Sequence, residues 1–182
     1  KLEKDARFQK EVAYQKLTKM QEADQARIIN HVLREIGTRY ASSSISKCRK
    51  TAALVHNLKA MKNEGGPKMF MTKLAELNGP DADKKRIEYL MKDMQFLKSK
   101  SARDFLMELG LLKNAIAFDV RVKNVLNKIG IATPKDFENS AKSYDEAERD
   151  VLIRICEPLR ISGIALDRML YQNYEEIMKM IV

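Results

Sequence analysis

Apolar residues in this chain recur at spacings of three and four, and every such run is short. Ile28, Ile29, Val32, Leu33 and Ile36 make one stripe, ended by Gly37. Ile45, Cys48, Ala52, Val55 and Leu58 make another, broken at Gly65-Gly66. Ile87, Leu90, Met91 and Met94 make a third. This spacing marks one face of an α-helix, and a glycine just past the last apolar residue is a C-terminal stop. Alternation at period two is absent and β-branched clusters are short, so no strand is predicted. The pattern predicts an all-α fold of roughly nine to eleven short helices. Gly, Pro and Ser turns between them favour an irregular bundle over a coiled coil.

Local signals place the remaining elements. Residues 5–20 fit a first helix with Phe8, Val12 and Leu17 inward. Ser42-Ser43-Ser44 offers N-cap hydroxyls, and Pro67 suits the first turn of the helix carrying Met69, Phe70, Leu74 and Leu77. Asn78-Gly79-Pro80 is a stop, and Asp81 or Asp83 can cap the next helix. Ala132-Thr133-Pro134 reads as a turn, with Thr133 and Asp136 opening a short helix around Phe137. Ser143 and Glu146 fit a capping box for the helix of Ala147, Val151, Leu152 and Ile155, which Pro158 limits or bends. Ser162 restarts a helix through Leu166, Leu170 and Tyr171. Ile177, Met178 and Ile181 face inward in the last segment.

A length of 182 residues suffices for one large domain or two small lobes, and 45% apolar content supports a core. No apolar run approaches a membrane span, and no signal-peptide pattern opens the chain, so a cytoplasmic or nuclear, non-secreted protein is expected. The chain opens on Lys1 rather than Met, which suggests that it continues a longer sequence. Cys48 and Cys156 stand far apart and read as buried thiols. Iron–sulfur or zinc sites need grouped Cys or His ligands, and none is grouped here, so no metal and no cofactor is expected. His31 and His56 are solitary, and the ten methionines fall on core stripes.

The formal charge is +9, unevenly spread. Residues 1–60 carry 13 basic and 6 acidic side chains, 61–130 carry 14 and 9, and 131–182 carry 7 and 10. A basic excess confined to the first two-thirds suits a polyanion such as nucleic acid, and equally a solvated lysine-rich surface.

The stretch from Gln95 to Gly130 is the most specific. A short basic turn holds Lys98, Ser99 and Lys100. A helix follows with Ala102, Phe105, Leu106 and Leu109 on its apolar face and Gly110 as its stop. A loop then brings Asp119 to the start of a helix built on Val122, Val125, Leu126 and Ile129 and stopped by Gly130. One lysine and one aspartate therefore sit at two successive helix starts.

Lys100-Ser-Ala-Arg-Asp-Phe-Leu106 followed by Ala117-Phe-Asp-Val-Arg121 resembles the helix–hairpin–helix DNA glycosylases. The closest likeness is to the compact 8-oxoguanine glycosylase/AP lyases that lack an iron–sulfur cluster. That family carries a K-x-A lysine and an aspartate about twenty residues later in a D-x-H-like setting; here Lys100 and Asp119 are 19 apart. Arg39-Tyr40, Lys50-Thr-Ala-Ala-Leu-Val55, Tyr144-Asp-Glu-Ala-Glu148, Ile155-Cys156 and Leu166-Asp-Arg-Met-Leu-Tyr171 extend the resemblance over roughly residues 35–178. The family's hairpin glycines are replaced by Phe96 and Lys98, its histidine by Arg121 and its closing tryptophan by Tyr171.

The resemblance implies a two-lobed all-α bundle, with residues 40–130 in one lobe, 1–39 plus 131–182 in the other, and Lys100 and Asp119 in the cleft between. It implies removal of an oxidised purine from double-stranded DNA by a monomer, with strand cleavage through a lysine Schiff base as a second step. Lys100 and Asp119 are then the catalytic pair. Lys98, Ser99, Arg103 and Arg121 contact DNA, and Tyr171 and Asp167 line the base pocket. An amine nucleophile must be neutral to attack, and the positive neighbours Lys98 and Arg103 favour that form. A DNA-binding relative with altered or lost activity, and a helical protein-interaction module without a DNA role, stay open beside this reading.

Overall fold

A computed structural model describes residues 10–38, 41–131, 133 and 140–181. Phe8, Arg39, Tyr40, Ala132, Pro134, Asp136 and Phe137, all singled out above, lie outside the described residues. Within them the chain is helical, with no strand. The helices are α1 (Tyr14–Leu17), α2 (Glu22–Glu35), α3 (Arg49–Asn63), α4 (Pro67–Glu76), α5 (Ala82–Asp93), α6 (Ser99–Glu108), α7 (Val120–Lys128), α8 (Ala141–Val151), α9 (Gly163–Gln172) and α10 (Tyr174–Met180). After α8 the chain continues through a π-helical stretch, Leu152–Cys156, into a last turn at Glu157–Leu159. Pro158 sits inside that turn rather than ending α8.

The chain divides into two compact units, Lys1–Glu76 with Lys92–Phe96, and Leu77–Met91 with Leu97–Val182. These bounds differ from the division expected between 40–130 and its flanks. The reason lies in two cores. In the first unit, Ile29 and Leu33 of α2 pack with Leu17 and with Val55 of α3, so residues on both sides of position 40 share one cluster. In the second, Phe118, Val122, Val125 and Leu126 pack with Tyr144, Val151, Leu166 and Leu170, so both sides of position 131 do the same. Lys100 and Asp119 both belong to the second unit.

The stops around the central stretch follow the sequence. Gly110 and Gly130 have φ of +67° and +81°, the left-handed region that glycine enters without strain. Each is followed by an amide that reaches back to the helix: Leu111 N–H to the Leu106 carbonyl and Ile131 N–H to the Leu126 carbonyl, both at 2.9 Å. This arrangement satisfies carbonyls that the helix end would orphan. One start differs from expectation: Ser140, not Ser143, caps α8 by accepting from Ser143 N–H. In the first turn of α5, Asp83 accepts from the Lys113 and Asn114 amides at 2.9 and 3.1 Å.

Gly163 opens α9 in a tight place. A Cβ there would lie 2.7 Å from Leu152 Cδ2 and 2.9 Å from the Ala115 carbonyl oxygen. The second neighbour is backbone and cannot step aside. Gly163→Ala is expected to destabilise the protein by about 2 kcal/mol through overpacking, read from the urea midpoint; a midpoint within error of wild type would show that the α9 start has room to shift.

Candidate functional site

Residues 99, 102, 103 and 106 lie on one face of α6, and that face is buried. Ala102 and Leu106 are fully enclosed, as apolar residues at this spacing should be. Arg103 points the same way and is 1% exposed. Its Nε and Nη2 donate to the two oxygens of Glu148 at 2.9 and 2.7 Å, Nη2 also reaches Asp145 at 2.8 Å, and Nη1 donates to the Ser99 carbonyl at 3.1 Å. The guanidinium lies over the Tyr144 ring, 4.2 Å from its centroid. Burial alone would lower the Arg103 pKa, but the Glu148 carboxylate outweighs it and holds the group above its ordinary value. Arg103 is thus a structural ion-pair residue, not the DNA contact expected from sequence. The same face buries Ser99, whose hydroxyl points at Met91 Sδ at 3.8 Å, so this side chain too is unavailable to a phosphate.

Lys98 is exposed at the N-cap of α6. Lys100, in the first turn, is half-exposed, and its ammonium pairs with Asp104 one turn on. Spacing of i to i+4 brings such a pair together on a helix surface. The cluster of positive neighbours expected around Lys100 is not formed, because Arg103 turns inward and the nearby charge is a carboxylate.

Between α6 and α7 the chain runs through Ala115, Ile116, Ala117 and Phe118, all 2% exposed or less. A buried stretch outside helices must still find partners for its backbone amides. Side chains of α8 and α9 supply them. Ile116 N–H donates to Glu148 Oε1 at 2.7 Å, Ala117 N–H to Asp167 Oδ1 at 2.9 Å and Phe118 N–H to Tyr144 Oη at 2.9 Å. Tyr144 O–H in turn donates to the Ile116 carbonyl at 3.2 Å, and its ring meets Phe118 edge-on at 5.2 Å. Burial pushes the Tyr144 hydroxyl well above its ordinary pKa, so it remains a donor. Asp119 follows as the N-cap of α7, accepting from Val122 N–H at 2.8 Å. Its expected place at a helix start is the observed one.

Glu148 therefore joins two elements. One of its oxygens accepts from both Arg103 on the Lys100 helix and Ile116 on the segment that delivers Asp119. Asp167 adds the electrostatic link. Its carboxyl is raised to about 6, chiefly by burial and also by Asp104 and Asp119, against the lowering by the bond from Ala117 N–H and by Lys100. Lys100, Asp104, Asp119 and Asp167 thus share one charged neighbourhood. The sequence pointed to Lys100, Asp119 and Asp167. It missed Asp104, which the four-residue spacing from Lys100 could have revealed, and Glu148, whose spacing from Tyr144 and Val151 places it on the buried face of α8.

The remaining candidates lie on the surface. Arg121 and Tyr171 are exposed, with the guanidinium 4.6 Å from the Tyr171 ring centroid and 5.8 Å from that of Tyr174. Asp167 is buried, and Tyr171, one turn further along α9, is exposed. An apolar groove of about 410 Å³ between α7, α9 and α10, lined by Ile129, Leu166 and Ile177 among others, includes neither Lys100 nor Asp119. Among the described residues, no group of three or more His, Cys, Asp or Glu is placed to hold a metal, and no helix is long and apolar enough to cross a membrane. No family model, no curated protein and no solved structure matches the chain.

Two outcomes follow from this geometry. Glu148→Ala leaves a buried guanidinium and the Ile116 amide without their shared acceptor, and is expected to cost about 3–5 kcal/mol in urea denaturation; a loss under 1 kcal/mol would mean that water replaces it. Asp167 behaves oppositely. Its native pKa lies above the ordinary 3.8, so its contribution to stability is complete below that value and is lost as pH rises through about 6. Asp167→Asn keeps an oxygen for Ala117 and removes the charge. It is expected to stabilise the protein at pH 8 by on the order of 2 kcal/mol, with the gain fading toward pH 4. A gain independent of pH would show that the carboxyl is not the cause.

Proposed function

We propose that this chain is a DNA glycosylase-like protein that excises an oxidised purine from double-stranded DNA, with Lys100 as amine nucleophile and Asp119 as the carboxylate beside the reacting sugar. The observation that carries this reading is the tie between the two helix starts. Glu148 fixes the Lys100 helix and the segment leading to Asp119 to one buried carboxylate, and Lys100 and Asp119 both act on the charge of Asp167. Positioned groups of opposite charge suit a step that passes through positive character at a sugar carbon. The resemblance of 100–106 and 117–121 to helix–hairpin–helix glycosylases supplies the substrate class. Phe96, where that family has glycine, adopts φ +65°, a conformation that favours glycine.

In this reading Lys100 attacks as the neutral amine, one ammonium proton having passed to solvent. The freed lone pair forms a bond to C1′ while the bond from C1′ to the base breaks. The departing base keeps that electron pair and takes up a proton. Asp119, at the α7 start, stabilises the positive charge that develops on the sugar ring. Loss of the second amine proton and opening of the ring give an imine, from which β-elimination cleaves the strand. The base must first leave the stack, at a cost of a few kcal/mol. The protein acts as a monomer in the cytoplasm or nucleus.

The imine supplies the test. Borohydride is expected to link wild-type protein permanently to duplex DNA carrying 8-oxoguanine or an abasic site. Lys100→Gln abolishes the link with DNA affinity nearly unchanged. Asp119→Asn preserves the cap, because asparagine caps as well as aspartate, yet slows base release by about 10²-fold or more. Lys98→Gln still links. Binding whose affinity falls steeply with salt, without excision or trapping over a panel of damaged bases, would leave a DNA-binding relative with lost or altered activity. Absence of any salt-sensitive binding would remove DNA as the partner.

A further inference from the structure

Phe96 stands in the turn after α5 with φ +65°. A bulky side chain in the left-handed region is strained, since its Cβ crowds the backbone. The ring does not gain burial in exchange, for it is 52% exposed. Strain and an exposed aromatic group at one residue find no compensation in the core of the first unit, and such outliers concentrate at binding sites.

The turn is held firmly by α3. The Asn57 amide pairs with both backbone groups of Gln95: Gln95 N–H donates to Oδ1 at 2.7 Å, and Nδ2 donates to the Gln95 carbonyl at 3.0 Å. One turn of side chain thus substitutes for a neighbouring strand. His56 Nε2 lies 3.1 Å from the Asp93 carbonyl oxygen on the same side of the turn. Arg49, the first residue of α3, sets its guanidinium 5.9 Å from the centre of the Phe96 ring. Helix α3 carries Arg49, Lys50, Lys59 and Lys62 and no Asp or Glu. An aromatic face presented on a braced turn, beside a helix charged with one sign only, is the combination that stacks a base while cations meet the adjoining phosphates.

We propose that Phe96 is a stacking contact for an unpaired nucleobase of DNA, with Arg49 facing the neighbouring phosphate. This contact rests on the DNA reading above and extends it to the first unit. It is independent of Lys100 chemistry, since stacking needs only a π face.

The chain has no tryptophan, so Phe96→Trp introduces a single emitter at the contact. Its fluorescence is expected to be quenched as DNA with an abasic site or a single-stranded gap is added, in step with the anisotropy of a labelled strand. Phe96→Gly is expected to weaken binding to that DNA about tenfold or more, while its thermal midpoint stays level or rises, because glycine takes φ +65° freely. Phe96→Leu loses affinity similarly, since bulk without a π face does not replace the ring. Binding by Phe96→Trp with unmoved emission, or undiminished affinity in Phe96→Gly, overturns the stacking contact alone and leaves DNA as partner. If wild type shows no salt-sensitive DNA binding, both the contact and the DNA reading fall.

Discussion

The Glu148 carboxylate is the point on which the second unit turns. It is enclosed, it holds a guanidinium that is itself 1% exposed, and it accepts the amide of a segment that has no regular structure of its own. A buried ion pair of this kind repays its desolvation only if the remaining lone pairs and protons are satisfied. Here they are, through Asp145, the Ser99 carbonyl, the Tyr144 ring and Ile116 N–H. Apolar replacements of similar volume could give comparable stability. What they would lack is direction, because only a hydrogen-bonded charge fixes both the rotation of α6 and the register of 115–118.

That register decides where Asp119 goes. Three consecutive amides, from Ile116 to Phe118, donate to three side chains drawn from two helices. The segment is buried and lies outside the helices, so a helix cannot absorb its amides and water cannot reach them. Tyr144 serves the two peptide units that flank Ala117, accepting from Phe118 N–H and donating to the Ile116 carbonyl. The chain therefore leaves this clamp at a defined point, and Asp119 begins α7 there with its carboxylate already engaged as a cap. A short irregular segment held by helix side chains does the positioning that a strand in a sheet does elsewhere.

The electrostatics around Lys100 change its chemical setting from the one its sequence neighbours suggest. Lys98 stays in solvent and Arg103 is neutralised in the core, while Asp104, Asp119 and Asp167 provide carboxylates. The partner next to the amine is a carboxylate, not the cations that its sequence neighbours suggest. Asp167, raised to about 6 by burial and by its acidic neighbours, adds a group that changes charge close to neutral pH.

Helix positions and ends were legible in the sequence because they are local. Apolar spacing of three and four, the stops at Gly110 and Gly130, and the start at Asp119 depend on contacts within a few residues, and the structure reproduces them. Residues 99, 102, 103 and 106 also share a face by spacing alone, yet an arginine's charge argued for the surface and its burial went unread. Only tertiary structure could bring Glu148, 45 residues away in sequence, to the Arg103 guanidinium and so reverse that preference. The grouping into two units was decided in the same way, by long-range packing across positions 40 and 131. The sequence by itself determined an all-helical chain with Lys100 and Asp119 at two helix starts, since capping and periodicity are short-range. The partners of each buried polar group were decided by the fold, because desolvation is compensated only by groups that the rest of the chain carries to it.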